Sequence, residues 1–329
     1  MVSVALSVLD LAHIGDGETA ADSFANSVKL AQHAERWGYE RIWYAEHHNM
    51  PTIASSATSV LIGHVAAQTT SIRLGAGGIM LPNHAPLTIA EQFGTLETLF
   101  PGRIDLGLGR APGSDQRTLR ALRREPTSAD SFPQDVLELQ GYLAGETRIS
   151  GVNATPGYGT NVPLFILGSS MFGAQLAALL GLPYAFASHF APDALEAAVA
   201  TYRKEFKPSE QLAEPYVIAG VNVIAADTTE YAQRQALEAK RYRAGRIIAQ
   251  GKNLTTEQID ALLESPAGAQ VNNMTKYTAV GTPAEVDEYL DGFAKQAQAD
   301  ELMVVSSATD RTAWLRSLEL LADVRDLNG

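Results

Sequence analysis

Apolar residues along this chain follow two alternating rhythms. Short unbroken runs, such as Val-Ala-Leu-Ser-Val-Leu at 4–9 and Ile-Trp-Tyr-Ala at 42–45, are separated by longer stretches in which apolar positions recur every three or four residues. The first rhythm predicts strands buried on both faces, the second amphipathic helices. Strands are expected at residues 4–9, 41–45, 72–76, 103–108, 164–167, 184–187, 216–225 and 301–305. Helices are expected at 21–37, 55–69, 87–99, 115–124, 134–144, 172–180, 193–206, 230–250, 257–263, 283–297 and 314–324. Thr19 or Asp22 is the expected cap of the first helix. Parallel strands need a crossover, so the alternation predicts an α/β protein with a parallel sheet. Eight repeats fit a single (β/α)8 TIM barrel domain over residues 1–329, with insertions after strands 4 and 7. A doubly wound open sheet is the alternative, but the G-x-G-x-x-G fingerprint with an acidic residue some 20 positions on is missing.

In such a barrel the chemistry sits in the loops after the strands' C-terminal ends. Those loops are 10–17, 46–51, 77–86, 109–113, 168–170, 188–191 and the segment after Ser306. Glu46-His47-His48 lies in one of them. Adjacent side chains on extended backbone point to opposite sides, so at most one imidazole faces the mouth. That one suits acid/base chemistry; the other reading is a hydrogen-bonding pair that shapes the loop. No third His or carboxylate shows ligand-like spacing, so no metal is expected. Gly77-Gly78 permits close approach of a flat ligand to the main chain, or is an ordinary bulge. Arg110, followed at Gly113 by room for a sharp turn, offers a fork of donors to an anion or caps a helix at the surface. Ser169 and Ser170 precede a helix, whose start can bind a phosphate or simply be capped by a serine. Neither G-x-S-x-G nor H-E-x-x-H is present, so a hydrolase has no motif to stand on.

Charge and composition narrow this further. A net charge of −12 argues against nucleic acid or an anionic membrane as partner. The absence of cysteine excludes disulfides, cysteine-ligated metals and thiol nucleophiles. The apolar N-terminus is short and lacks a basic flank, so it reads as a first strand rather than a signal peptide. With no run of about 20 apolar residues, a cytoplasmic protein is expected. Residues 149–192 contain no Asp, Glu, Lys or Arg, and residues 49–90 contain only Arg73. Such segments are interior, or they line a site for a neutral or backbone-bound ligand.

Four ordered segments carry a resemblance: Ser-Val-Leu-Asp-Leu at 7–11, Ala-Glu-His-His-Asn-Met-Pro at 45–51, Leu-Pro-Asn-His-Ala-Pro-Leu at 81–87, and Pro-Gly-Arg-Ile-Asp-Leu-Gly-Leu-Gly-Arg-Ala-Pro-Gly at 101–113. With a late Val-Gly-Thr-Pro at 280–283, they resemble the bacterial luciferase-like flavin-dependent monooxygenases, of the type termed luciferase family oxidoreductase group 1. The resemblance spans the whole chain. It implies a (β/α)8 barrel that binds FMN at its C-terminal mouth, the FMN being reduced by a separate flavin reductase. It further implies reaction with O2 through a C4a-(hydro)peroxide to oxidise a small organic substrate. A homodimer is also implied, for which the Ala/Ser-rich helix 55–69 is a suitable contact. Position by position, His47 matches the catalytic histidine. Gly77-Gly78 matches a pair joined by a cis peptide beneath the isoalloxazine. Arg110 matches the arginine facing the flavin phosphate, and Ser169 and Ser170 match the phosphate-binding pair. Gly109 stands where bacterial luciferase carries a reactive cysteine, so light emission is not expected. An F420-dependent oxidoreductase on the same barrel and a non-catalytic flavin-binding protein are the alternatives.

Overall fold

The structure, a computed structural model, describes residues 4–111, 115–248 and 254–327. Gly113 and the end of the helix expected to reach residue 250 lie outside the described residues. The strands are β1 (Ala5–Asp10), β2 (Arg41–Tyr44), β3 (Arg73–Met80), β4 (Ile104–Gly109), β5 (Leu164–Gly168), β6 (Tyr184–Phe186), β7 (Val217–Ala225), β8 (Thr278–Gly281) and β9 (Glu301–Ser306). All pairings between them are parallel. Eight strands close a ring in the order β6-β5-β4-β3-β2-β1-β9-β7, with β7 returning to β6.

The eight strands of the ring are the eight expected, and β8 is an additional strand beside them. The short β6 pairs β7 only at Val217–Ala219, and β8 pairs it at Asn222–Ala225. Since β9 holds the other edge of β7 as far as Val223, β8 occupies the edge that β6 leaves free. Thr-Ala-Val-Gly is as short as the Arg-Ile-Trp-Tyr of β2 but lacks its large apolar side chains, so no buried run marks it in the sequence.

The helices follow as α1 (Ala20–Trp37), α2 (Thr58–Ala66), α3 (Pro86–Leu99), α4 (Gln116–Ala121), α5 (Phe132–Ala144), α6 (Met171–Leu180), α7 (Leu195–Glu205), α8 (Thr229–Ile247), α9 (Thr256–Glu264), α10 (Gly268–Met274), α11 (Pro283–Ala297) and α12 (Arg311–Arg325). Thr19 caps α1, and Asp22 answers as the other half of a capping box. Thus α4 and α5 form the insertion after β4, while α8 to α10 form the one after β7. Helix α2 is shorter than the expected 55–69. The buried Ser55 hydroxyl donates to the carbonyls of Leu11 and Ala45, which ties loops together instead of starting a helix. Helix α10 was not expected. No helix of the described residues is long and apolar enough to cross a membrane.

Side chains alternate across each strand, giving two cores. Leu6, Val8, Ile42, Tyr44, Leu74 and Ala76 face outward onto the helices. Leu9, Trp43, Ala45, Phe165, Ala185, Ile218 and Met303 fill the barrel, with Trp43 edge-on to Phe165 at 5.0 Å. At the strand starts lies a charged floor. Arg41 Nε donates to Glu301 (2.9 Å) and Nη1 to Asp105 (2.8 Å). Asp105 also receives Trp43 Nε1 (3.1 Å) and Arg73, and Glu301 receives the hydroxyls of Ser7 and Tyr216. The floor and the packed interior close the inside of the ring at the strand starts.

Candidate active site

Parallel strands put the loops after β2, β3, β4 and β5 at one face. Glu46, only 1% exposed, sits just beyond β2. Its carboxylate accepts from His48 Nε2 (2.8 Å), His84 Nε2 (2.9 Å) and the Met80 N–H (3.1 Å). Burial pushes this carboxyl up, but the bonds from His48 and His84 outweigh it and the net shift is downward. The same bond raises the pKa of His48. The expectation that no third ligand-type residue stands near this motif is therefore corrected. Ligand atoms of Glu46, His48 and His84 lie within 4.8 Å of one another. His84 was invisible to spacing because it arrives from the loop after β3. The three form a hydrogen-bonded knot joining the loops after β2 and β3.

His47 goes the other way, as adjacent extended positions must. Its Nδ1 is buried with no hydrogen-bond partner. Burial lowers its pKa, with the nearby charge of His13 adding to the effect, so the ring is neutral near pH 7. His13, in the loop after β1, keeps solvent contact, and its pKa is lowered too, mainly by desolvation. His189, in the loop after β6, is pushed down to about 3 by burial, helped by Arg243 and His47. Its Nδ1 is likewise buried and unpartnered, and rests against Gly220, where a Cβ would lie 2.3 Å from it. Sequence reading placed His13 and His189 in mouth loops without assigning them. It missed Arg243, which sits mid-helix in α8 with no local signal.

The Gly77–Gly78 peptide is cis. It lies at an irregularity in the β3–β4 pairing between Ala76 and Ile79. A Cβ at Gly77 would meet Trp43 at 2.9 Å and one at Gly78 the Gly107 carbonyl oxygen at 2.6 Å, so neither site admits a side chain. Beyond β4, the exposed Arg110 lies over the Phe172 ring at 4.0 Å, which holds its guanidinium at the start of α6. Ser170 occupies the N-cap position there, but its hydroxyl makes no capping bond. The reading of Ser170 as a routine side-chain cap does not hold. Ser169 beside it is exposed. A helix start with unused serine hydroxyls and an arginine suits a phosphate, while the glycine pair presents main chain without side chains, its Cβ positions being taken up by Trp43 and Gly107. The residues present fit a flavin mononucleotide.

A family model described as luciferase-like monooxygenase matches residues 4–301. Bacillus subtilis YvbT is 51% identical over 97% of this chain and 96% of its own. A luciferase-like monooxygenase of Escherichia coli K12 is 48% identical, covering 98% of both chains. The N-acetyl-S-alkylcysteine monooxygenase of B. subtilis is 33% identical over 97% of this chain and 98% of its own. Among solved structures, apo-MsnO8 superposes with a TM-score of 0.89 at 36% identity, covering 99% of both chains. The oxygenating constituent of Pseudomonas putida 3,6-diketocamphane monooxygenase, in complex with FMN, reaches 0.73 at 17% identity, covering 98% and 97%. An F420-dependent secondary alcohol dehydrogenase reaches 0.72 at 15%, covering 98% and 99%. At those last two identities the likeness is one of fold. From the matched family model and the near full-length relatives it follows that this chain belongs to the luciferase-like monooxygenase family and is a flavin-dependent monooxygenase.

Proposed function

We propose that the chain is the oxygenating component of a two-component system. It uses FMN, reduced by a separate flavin reductase, and O2 to oxidise a small organic substrate. The phosphate would sit on Ser169, Ser170 and Arg110, and the ring system against Gly77–Gly78. When bound, reduced FMN supplies the electrons that activate O2. The protein holds the ring, excludes water behind it with the packed layer of Trp43 and Phe165, and manages protons. His47 is the proton carrier: neutral, buried at Nδ1 and free of any partner that would fix its proton. His48 is instead spoken for by Glu46. We further propose a homodimer in which α2 forms part of the contact.

The observation that carries the reading is Arg110 stacked on Phe172 beside a serine that caps nothing. Its test is a comparison of FMN, riboflavin and F420 by equilibrium titration. FMN should bind at least ~10-fold tighter than riboflavin, because charge-assisted bonds contribute about 1.5–3 kcal/mol each. Arg110→Ala should remove most of that difference. Equal affinity for FMN and riboflavin would refute the phosphate site, and preference for F420 would transfer the chain to hydride chemistry. A protein that binds FMN tightly but never consumes O2 in the presence of FMN reductase would be a flavin carrier.

A further inference from the structure

The flavin features occupy the β3, β4 and β5 side of the mouth and leave one strong charge on the other side without a role. Arg243 in α8 is partly buried, and among the described residues it makes no ion pair. Every Asp and Glu of the chain is among those residues. Its hydrogen bond is a long one, from Nη1 to the Met274 carbonyl at 3.5 Å. Burial lowers its pKa with no carboxylate to oppose the effect. A guanidinium withdrawn from water without a counter-ion is costly, and an arriving anion offsets part of that cost.

The surroundings place this charge in the mouth. Arg246, one turn on, donates from Nη2 to Thr52 Oγ1 (3.0 Å), so the last turns of α8 lie over the loop after β2. That loop in turn holds the loop after β1, through Ile14 N–H to the Thr52 carbonyl (2.9 Å) and the bridge between His13 and Ile53. The charge of Arg243 is felt by both His13 and His189, and His189 and His13 each interact with His47. The α8 insertion is thus tied by hydrogen bonds to the loops after β2 and β1, and Arg243 lies within electrostatic reach of His13 and His189. Arg110, Ser169 and Ser170 approach from β4 and β5, which are separated from β1 and β2 by β3 and from β7 by β6.

We propose that Arg243 is the anchor of a substrate subsite, and that the substrate is a small organic acid whose anionic group docks on this guanidinium beside His13. The rest of the molecule would then extend across the mouth towards His47. Carboxylate and sulfonate share this chemistry. The inference rests on the flavin reading for what happens to the substrate, but the binding itself does not need flavin.

Calorimetric titration of the full chain with hexanoate, hexane-1-sulfonate and hexan-1-ol tests it. The protein is loaded with FMN, or saturated with inorganic phosphate, so that the Arg110 subsite is filled. At least one of the two acids should bind ~10-fold or more tightly than the alcohol, the usual worth of a charge-assisted bond. Which acid binds better identifies the anionic group. Arg243→Gln should abolish the preference and Arg243→Lys should retain part of it. Both should leave FMN affinity within about twofold of wild type, whereas Arg110→Ala should not. No preference for either acid in the wild type would overturn the proposal, even if Arg243→Gln failed to fold. So would an Arg243→Gln protein that loses FMN as Arg110→Ala does, since Arg243 would then serve the flavin. Acid preference in phosphate-saturated protein that binds no FMN would uphold this subsite while refuting the flavin reading.

Discussion

His47 and His48 are neighbours in the chain with opposite chemistry, and the difference is testable residue by residue. Burial lowers the pKa of His47, whereas the bond to Glu46 raises that of His48. Proton-detected titration of the ring resonances should find one histidine below and one above the ordinary value of about 6.5. Glu46→Gln should bring His48 back towards it. In a reductase-coupled oxygenation assay, His47→Ala should slow turnover by ~10²–10⁴, the range for a positioned acid/base, and His48→Ala by less. Wild-type turnover by His47→Ala would reassign the proton carrier. Strand pleating alone says that the two rings face opposite ways, and the choice of His47 over His48 rests on the family resemblance. The sequence could not reveal that His84 would claim Glu46, because that contact comes from a loop far along the chain. Residue 189 also makes a stability prediction. Its folded pKa is about 3, below the unfolded value, so between pH 6.5 and 3 the unfolded chain binds a proton that the native site refuses. Stability should therefore fall as pH falls through that window, by up to ~1.4 kcal/mol per pH unit for one such group. Denaturant unfolding at pH 7 and pH 5 should show a smaller difference for His189→Gln. An unchanged or larger difference would mean that His189 is protonated in the native state.

At the scale of elements, the strands carry opposite duties at their two ends. Their starts hold the floor of Arg41, Asp105 and Glu301, and their ends hold the site. Arg41→Met keeps the length of the side chain but leaves two buried carboxylates without their shared cation. It should cost ~3–5 kcal/mol in urea unfolding, the usual penalty for breaking a buried pair. A loss below ~1 kcal/mol would mean that water or protonation relieves the floor. The strand and helix pattern was legible wherever an element repeated its period several times, and α11 (Pro283–Ala297) matched to the residue. It failed where an element lacks large apolar residues of its own. The strand Thr-Ala-Val-Gly of β8 forms where β7 outruns β6 and offers an unpaired edge, a tertiary fact that no window of sequence contains. The clamp of Arg311, which reaches from α12 to Glu18 and the His13 carbonyl, is of the same kind. It fixes the loop after β1 from the far end of the chain.

At the scale of the whole molecule, the surface must account for α2. Its Leu61, Ile62, Val65 and Ala66 are buried against the barrel, but Val60 is 71% exposed on the opposite side. Leu99, at the end of the neighbouring α3, is 63% exposed. Single exposed apolar residues need no explanation. A helix with no Asp, Glu, Lys or Arg is different, because a solvated face normally carries charge. This is the observation behind the homodimer proposed above. Val60→Arg should fold as the wild type does, since the side chain touches none of the barrel core. In a dimer packed on α2 the new charge would be buried without a partner, which weakens association by at least ~10-fold. Sedimentation velocity over a concentration series separates the cases. A wild-type dimer that becomes a monomer in Val60→Arg supports α2 as the contact. A dimer indifferent to the substitution moves the interface elsewhere, and a monomeric wild type removes it. The two proposed anion subsites lie within one chain, the first at the ends of β4 and β5 and the second on α8. FMN and acid affinities should therefore be the same in Val60→Arg as in the wild type, and any loss of either would show that the mouth depends on the partner.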